Sequence, residues 1–295
     1  MRGAITETRE RIEMPTHESS ISVLSIITPI ALAALVALVA RKLKLLSFGG
    51  ALAAFVIGAV IFASGKMLLA VPLLAFFLSS SLLSVVGKSR KASANSHYAK
   101  SGERDAWQVC ANGLIPAALA AVYALNPYVR QIVLVYFASL AAVNADTWAT
   151  EIGGLSPNPR MISNWRKAPA GVSGAISLLG LAGAFLGSAF IVFAGWLVWN
   201  PGKLMMWKPD ISEMLAVTWS GFLAAWADSI LGASVQAQYR CTVCQAQTER
   251  KIHCGKPTKH VSGLKWINND TVNFIACLLG VLFCWFLFHY YAYPE

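Results

Sequence analysis

The chain has 295 residues, 56% hydrophobic and only 13% charged, with a net charge of +10. Soluble domains carry about 25% charged residues. Together with a mean hydropathy of +0.56, that excludes an ordinary soluble enzyme, a secreted disulfide scaffold and a disordered chain. The composition predicts a polytopic membrane protein: an all-α helical bundle of about eight transmembrane helices, seven to nine at the limits, with short loops.

Residues 1–20 set Arg2, Arg9 and Arg11 against Glu7, Glu10, Glu13 and Glu18 without an apolar core, as expected of a solvated tail. Residues 21–291 are expected to form a single integral membrane domain. The first span, 21–40, ends at Arg41, Lys42 and Lys44. No small-residue cleavage site follows, so a retained anchor is expected rather than a signal peptide. Further spans are predicted near 45–63, 67–86, 107–124, 129–147, 171–199, 211–232 and 270–291. Gln108, Asn112, Gly113 and Pro116 make the fourth the weakest, suited to a re-entrant or tilted segment lining a cavity. Gly171, Gly174, Gly180, Gly183 and Gly187 in the sixth favour close helix approach.

Charge gives the topology. With eight spans, Lys and Arg number 17 in the first, third, fifth and seventh connections, and 7 in the tails and remaining connections. The positive-inside rule then puts the odd connections in the cytoplasm and both termini outside. The long connections, 87–106, 148–170 and 233–269, share that side, so an active site is expected on the cytoplasmic face. In a prokaryote the membrane is the plasma membrane. Headgroups and this rule account for the positive charge, so no nucleic-acid partner is expected.

Four acids lie at or near the cytoplasmic ends of spans: Asp146, Glu151, Asp228 and Asp270. A carboxylate near hydrocarbon is costly unless paired, metal-bound or near water. Carboxylates converging from several helices suit magnesium, which takes oxygen ligands and completes its shell with phosphate. Asp146, Asp228 and Asp270 are the candidate ligands. The bland reading is helix capping, strongest for Asp270, which starts a span.

Cations able to meet phosphate stand nearby. Arg160, Arg166 and Lys167 follow Glu151, and a Gly171-Val172-Ser173-Gly174 step is expected to open the next helix with free N–H groups at its positive end. The positive-inside rule alone would also place these cations here. Arg104, Gln108 and Asn112 recur at steps of four, a polar stripe that lines a cavity or glues helices. Gly87-Lys88-Ser89 matches the end of a Walker A loop, but Leu82 replaces its first glycine, so a P-loop kinase is not expected.

The seventh connection carries Cys241, Cys244, His253 and Cys254, with His260 beyond. Three thiols and either His253 or His260 would make a structural zinc site. His253 and Cys254 are adjacent, which makes joint ligation awkward, so unliganded thiols and a redox CxxC pair remain the other readings.

At these residues the chain resembles the family of multi-pass membrane proteins that includes transmembrane protein nineteen of animals and the phytyl-phosphate kinase of plants and cyanobacteria. The resemblance covers about residues 25–290. It is strongest at 144–154 (NADTWATEIGG) and continues at 159–160, 169–174 (PAGVSG), 104–113 (RDAWQVCANG), 228–232 (DSILG) and 268–273 (NNDTVN). It implies a kinase that moves a phosphoryl group from a nucleoside triphosphate, CTP in first place, to a prenyl or phytyl monophosphate. On this analogy Asp146, Glu151 and Asp228, with Lys167, are catalytic candidates. Asn144, Thr147, Ser229 and Asn269 join Arg104, Gln108, Asn112, Arg160, Arg166, Gly171, Ser173 and Gly174 as substrate- and phosphate-binding candidates. Magnesium and membrane lipids are the further partners implied. Since the acceptor is already a phosphate, alignment and compensating charge matter more than a general base. A proton- or ion-coupled transporter, a CTP-using cytidylyltransferase or CDP-alcohol transferase, and a non-catalytic scaffold are the alternatives.

Overall fold

The computed structural model describes residues 23–86, 102–199 and 209–292. The amino-terminal tail, the Gly87-Lys88-Ser89 step, and Arg90, Lys91 and Lys100 lie outside the described residues. Among those described, seven helices are long and apolar enough to cross a membrane. They are α1 (Val23–Lys42), α2 (Phe48–Val85), α3 (Ala106–Leu125), α4 (Arg130–Gly153), α5 (Leu178–Val198), α6 (Ile211–Ser234) and α7 (Asn269–Ala292).

Helix α2 holds two of the predicted spans. Its 38 residues would run about 57 Å as one rod, against a hydrocarbon core of about 30 Å. The rod is broken at Lys66, whose φ of 45° and ψ of −133° are not helical. The two halves fold back on each other. Leu45–Ser47, just before the first half, hydrogen-bonds to Arg104 (Ser47 N to Arg104 O, Arg104 N to Leu45 O, both 3.0 Å). The Arg104 guanidinium in turn lies 5.9 Å from the ring of Phe76, in the second half. Leu45–Ser47 and Arg104 therefore stand at one end of a helical hairpin, Lys66 stands at the far end, and Phe76 lies partway back along the second half. With the halves of α2 counted apart, the described residues hold eight apolar helical segments.

Local chemistry sets the helix starts. Ser47 accepts from Gly50 N (3.0 Å) and Ser177 from Gly180 N (3.0 Å). Asp105 with Gln108, and Asp210 with Glu213, form reciprocal capping boxes at α3 and α6. Helix α3 runs unbroken past Pro116, so the fourth span is a full crossing rather than a re-entrant one. Helix α5 begins only at Leu178, because Gly171 and Gly174 adopt φ of 87° and 79°, which no α-helix accepts. The Gly-Val-Ser-Gly step is thus a separate turn ahead of the helix. It is held by Ile162 N to Gly174 O (2.9 Å) and followed by β2 (Ala175–Ile176), which pairs with β1 (Arg160–Met161).

Helix α4 is the axis of the bundle: every residue from Val133 to Ala145 is buried. Helix α1 and the outer faces of α2 expose Leu24, Leu35, Leu38, Leu52, Leu78 and Leu82 instead, as lipid-facing surfaces should. Since lipid is as apolar as Leu, close packing and interhelical hydrogen bonds hold such a bundle together. Tyr136 Oη donates to Leu69 O (2.7 Å) and Ser188 Oγ to Thr218 O (2.7 Å). The expected glycine contact exists for Gly180, Gly183 and Gly187, where any Cβ would meet the α4 backbone at Ala149, Trp148 and Asn144.

The seventh connection is folded. Strands β3 (Gln238–Arg240), β4 (Gln247–Thr248) and β7 (Lys259–Ser262) form a sheet in the order β4-β3-β7, and β5 (Ile252–His253) pairs with β6 (Lys256–Pro257). The all-α bundle therefore carries a small β module on one face.

Candidate functional site

One polar cleft of about 930 Å³ opens at a single end of the bundle. It lies where the carboxyl ends of α2, α4 and α6 meet the amino ends of α3, α5 and α7, together with the long connections. Asp146, Thr147 and Glu151 enter from α4, Asp228 and Ser229 from α6, and Asn269, Asp270 and Asn273 from α7. The turn at 171–174 and the β module close the other sides. The PAGVSG and DSILG stretches meet here: a Cβ on Gly174 would lie 2.4 Å from Ala233 Cβ, and Gly232 packs on Ser173.

Helix α4 stays helical through Gly153, although union of Asp146 with Glu151 on one ion would require a break near Thr150. The two acids instead face different neighbours, about 140° apart on the helix. Asp146 interacts with Asp228 and Glu249. Glu151 accepts from Ser84 Oγ (2.5 Å) and faces Arg104. Burial pushes the Arg104 guanidinium below its ordinary range, and the Glu151 charge opposes that shift. Asp228 is buried, and Asn273 donates to its Oδ2 (2.9 Å) once the amide is oriented to satisfy its neighbours. At the start of α7, Asn268 Oδ1 accepts from Thr271 N (2.9 Å).

Arg104, Gln108 and Asn112 form the expected stripe and line the cleft. The same three residues also line a second, apolar recess of about 80 Å³, walled by Ala33, Ala37, Ile57, Phe62, Leu73 and Phe77. The recess lies between α1, both halves of α2, and α3. Asn112 Oδ1 is buried at this junction without a hydrogen-bond partner among the described residues.

Some predicted residues stand elsewhere. Asn144 does not line the cleft; it is buried, donates to Gly187 O (2.7 Å) and accepts from Ser79 Oγ (3.2 Å). Arg160, Arg166 and Lys167 are exposed on the connection after α4. They flank the cleft without lining it, and Arg160 Nη1 donates to Trp165 O (2.8 Å). The cations that do line it are Arg104, Arg250 and Lys251. The last two come from the β module, as does Glu249, which accepts from Ser173 Oγ. Gln236 Nε2 donates to the same hydroxyl (3.1 Å). Nothing in the spacing of these residues marks them; only the fold of the connection brings them to the cleft.

Cys241, Cys244, His253 and Cys254 present ligand atoms within 4.8 Å of one another, and the group is able to coordinate a metal ion. His260 is not part of it and packs edge-on against Tyr239 at 5.5 Å between centroids. No acidic group of three or more among the described residues converges this tightly.

A family sequence model described as "Integral membrane protein DUF92" matches residues 31–281. Among curated relatives, the protein named PGR of Arabidopsis thaliana is 29% identical over 260 residues, covering 81% of this chain and 87% of the relative. An uncharacterised membrane protein of Methanocaldococcus jannaschii is 29% identical over 245 residues, with 81% and 84% covered. One from Synechocystis sp. is 27% identical over 241 residues, with 80% of each chain covered. No solved structure matches the chain.

Proposed function

The chain belongs to the DUF92 family of integral membrane proteins, and on that premise we propose that it is a kinase of isoprenoid monophosphates. A nucleoside triphosphate, CTP in first place, would donate its terminal phosphoryl group to a prenyl or phytyl monophosphate. A bond forms between an acceptor phosphate oxygen and the γ-phosphorus as the β–γ bridging bond breaks. A prenyl diphosphate and a nucleoside diphosphate leave.

The observation that carries this reading is that a charged cleft and an apolar recess share Arg104, Gln108 and Asn112 in their walls. Such a junction suits a molecule that is phosphate at one end and hydrocarbon at the other. The resemblance to phytyl-phosphate kinases points to the same chemistry.

Asp146 and Asp228, with Asp270, would hold magnesium, which when bound supplies charge neutralisation between the transferring phosphates. Arg104 is suited to the acceptor phosphate, because it sits where cleft and recess join. Arg250 and Lys251 would balance the nucleotide phosphates, with Arg160, Arg166 and Lys167 adding positive potential from the flanking connection. Glu151 would orient Arg104, and Glu249 with Ser173 would fix the turn at 171–174 against the β module. Arg104 and the bound cation would favour the unprotonated acceptor phosphate, so no strong base is required.

Purified protein in lipid nanodiscs, given γ-labelled CTP or ATP and prenyl monophosphates of graded length, should yield labelled prenyl diphosphate and nucleoside diphosphate. A cytidine-linked lipid with release of pyrophosphate would assign the cytidylyltransferase reading instead. Absence of any turned-over lipid across both nucleotides and all acceptors would overturn the kinase.

A further inference from the structure

The β module between α6 and α7 has only a small hydrophobic core, with Ala237, Tyr239, Cys241 and Ile267 buried. Gln236, Gln238 and Thr248 are among its buried residues, whereas Val243, Ile252, Val261 and Leu264 are exposed. A segment that small needs another source of order, and metal ions and disulfides are the usual ones. Its six-cysteine chain forms no disulfide among the described residues.

The four ligand atoms are already arranged around a point. Cys244 Sγ and Cys254 Sγ are 3.8 Å apart, and His253 Nδ1 lies 3.6 Å from Cys244 Sγ and 3.2 Å from Cys254 Sγ. A tetrahedral zinc with Zn–S near 2.3 Å and Zn–N near 2.0 Å separates its ligand atoms by about 3.5–3.8 Å. The Cys241–Cys244 turn has the form of a metal knuckle: the N–H groups of Val243 and Cys244 both point at Cys241 Sγ (3.3 and 3.5 Å). Such donors stabilise a ligating thiolate from outside the metal's own shell. Adjacent His253 and Cys254 can share one ion because Cys254 takes a left-handed backbone conformation, φ 51°, followed by Gly255 at φ 71°. Soft thiolates in a tetrahedral S₃N set select zinc among common divalent ions.

We propose that Cys241, Cys244, Cys254 and His253 bind one structural zinc ion, which clamps the chain between Cys244 and His253 so that Glu249, Arg250 and Lys251 stay in the cleft. The clamped segment is the one that meets the transmembrane site. Glu249 takes the Ser173 hydroxyl from the 171–174 turn. The far side of the hairpin braces its neighbours, with Thr258 N donating to Lys251 O (3.0 Å) and Thr258 Oγ1 to Arg250 O (2.7 Å). Zinc would thus act as a positioning element, distant from the reacting atoms. The metal site stands independently of the kinase reading; only an effect on turnover rests on it.

The test uses full-length protein in detergent, purified without chelator. Elemental analysis should find one zinc per chain, and cobalt exchanged for it should give thiolate-to-cobalt charge transfer and tetrahedral d–d bands. Cys244→Ser should lower the zinc content at least tenfold. Stripping zinc from the wild-type protein should speed hydrogen exchange across residues 245–252 at least tenfold while leaving α4 protected, and restored zinc should reverse it. Protein that neither contains zinc nor gives the cobalt spectrum overturns the site, as does a Cys241–Cys244 disulfide in the purified chain. Zinc that leaves without changing exchange in 245–252 overturns the clamp. Neither result depends on finding the prenyl acceptor, so failure of this proposal and failure of the kinase assay are distinguishable.

Discussion

Asn144 shows how one side chain can be read two ways. It opens the stretch where the family resemblance is strongest and was expected beside the substrate, yet both ends of its amide are used inside the bundle, on Gly187 O and Ser79 Oγ. Trp148 Nε1 donates to the same Ser79 hydroxyl (3.3 Å), so α2, α4 and α5 are joined by one small polar network. Removing a partner from such a network leaves buried groups unsatisfied, at about 1–3 kcal/mol. Asn144→Ala should therefore lower the melting temperature in detergent by several degrees, with KM for nucleotide unchanged in the protein that remains folded. A normal melting temperature with a raised KM would return Asn144 to the binding site. Asp146 and Asp228 were legible because a lone acid late in an apolar run has few cheap explanations. Glu249, Arg250 and Lys251 were not, because a charged loop residue has many.

At the scale of elements, the fold was legible where hydropathy and local chemistry agreed. The break between the second and third spans falls at the expected place, after Ala63-Ser64-Gly65, although the helical run on either side is continuous in hydropathy. The start of α5 was misplaced by several residues, because an apolar, glycine-rich stretch looks the same whether it is helix or turn; the positive φ of Gly171 and Gly174 depends on packing against α6. Lys66 holds φ 45° and ψ −133°, a region that costs a non-glycine residue about 1–3 kcal/mol. Lys66→Gly should relieve that strain and raise the melting temperature by a few degrees. Lys66→Val, β-branched at the same angles, should lower it. If both substitutions leave it unchanged, the hairpin does not turn at this residue.

For the whole molecule, the arrangement of the described helical segments puts the Leu45–Ser47 connection, Arg104, the 155–177 connection and the β module at one end. Arg130 and Glu213, which pair with each other, lie at the other. On the positive-inside rule we propose that the first end faces the cytoplasm. Single cysteines introduced at Lys44, Asn158 and Lys259 in a cysteine-free background should react with an impermeant reagent only in inverted vesicles, and one at Lys66 or Asn126 only in right-side-out vesicles. Labelling of Lys44 and Lys66 from one side would return α2 to a single crossing and separate the cleft's walls.

All the acids of the cleft gather at that one end, and the central claim is that phosphoryl transfer takes place there. The most direct measurement is turnover of prenyl monophosphate by Asp146→Asn and Asp228→Asn proteins in nanodiscs, with melting temperature and hydrogen exchange confirming the fold. Each substitution keeps size and most hydrogen bonding while removing a negative charge that, on the proposed function, would hold magnesium. Electrostatic stabilisation of this kind is worth several kcal/mol, so turnover should fall at least about a hundredfold, with partial recovery at raised magnesium. Turnover within about threefold of the parent, in both folded variants, would fall far short of that electrostatic loss and would contradict the placement of the chemistry in this cleft.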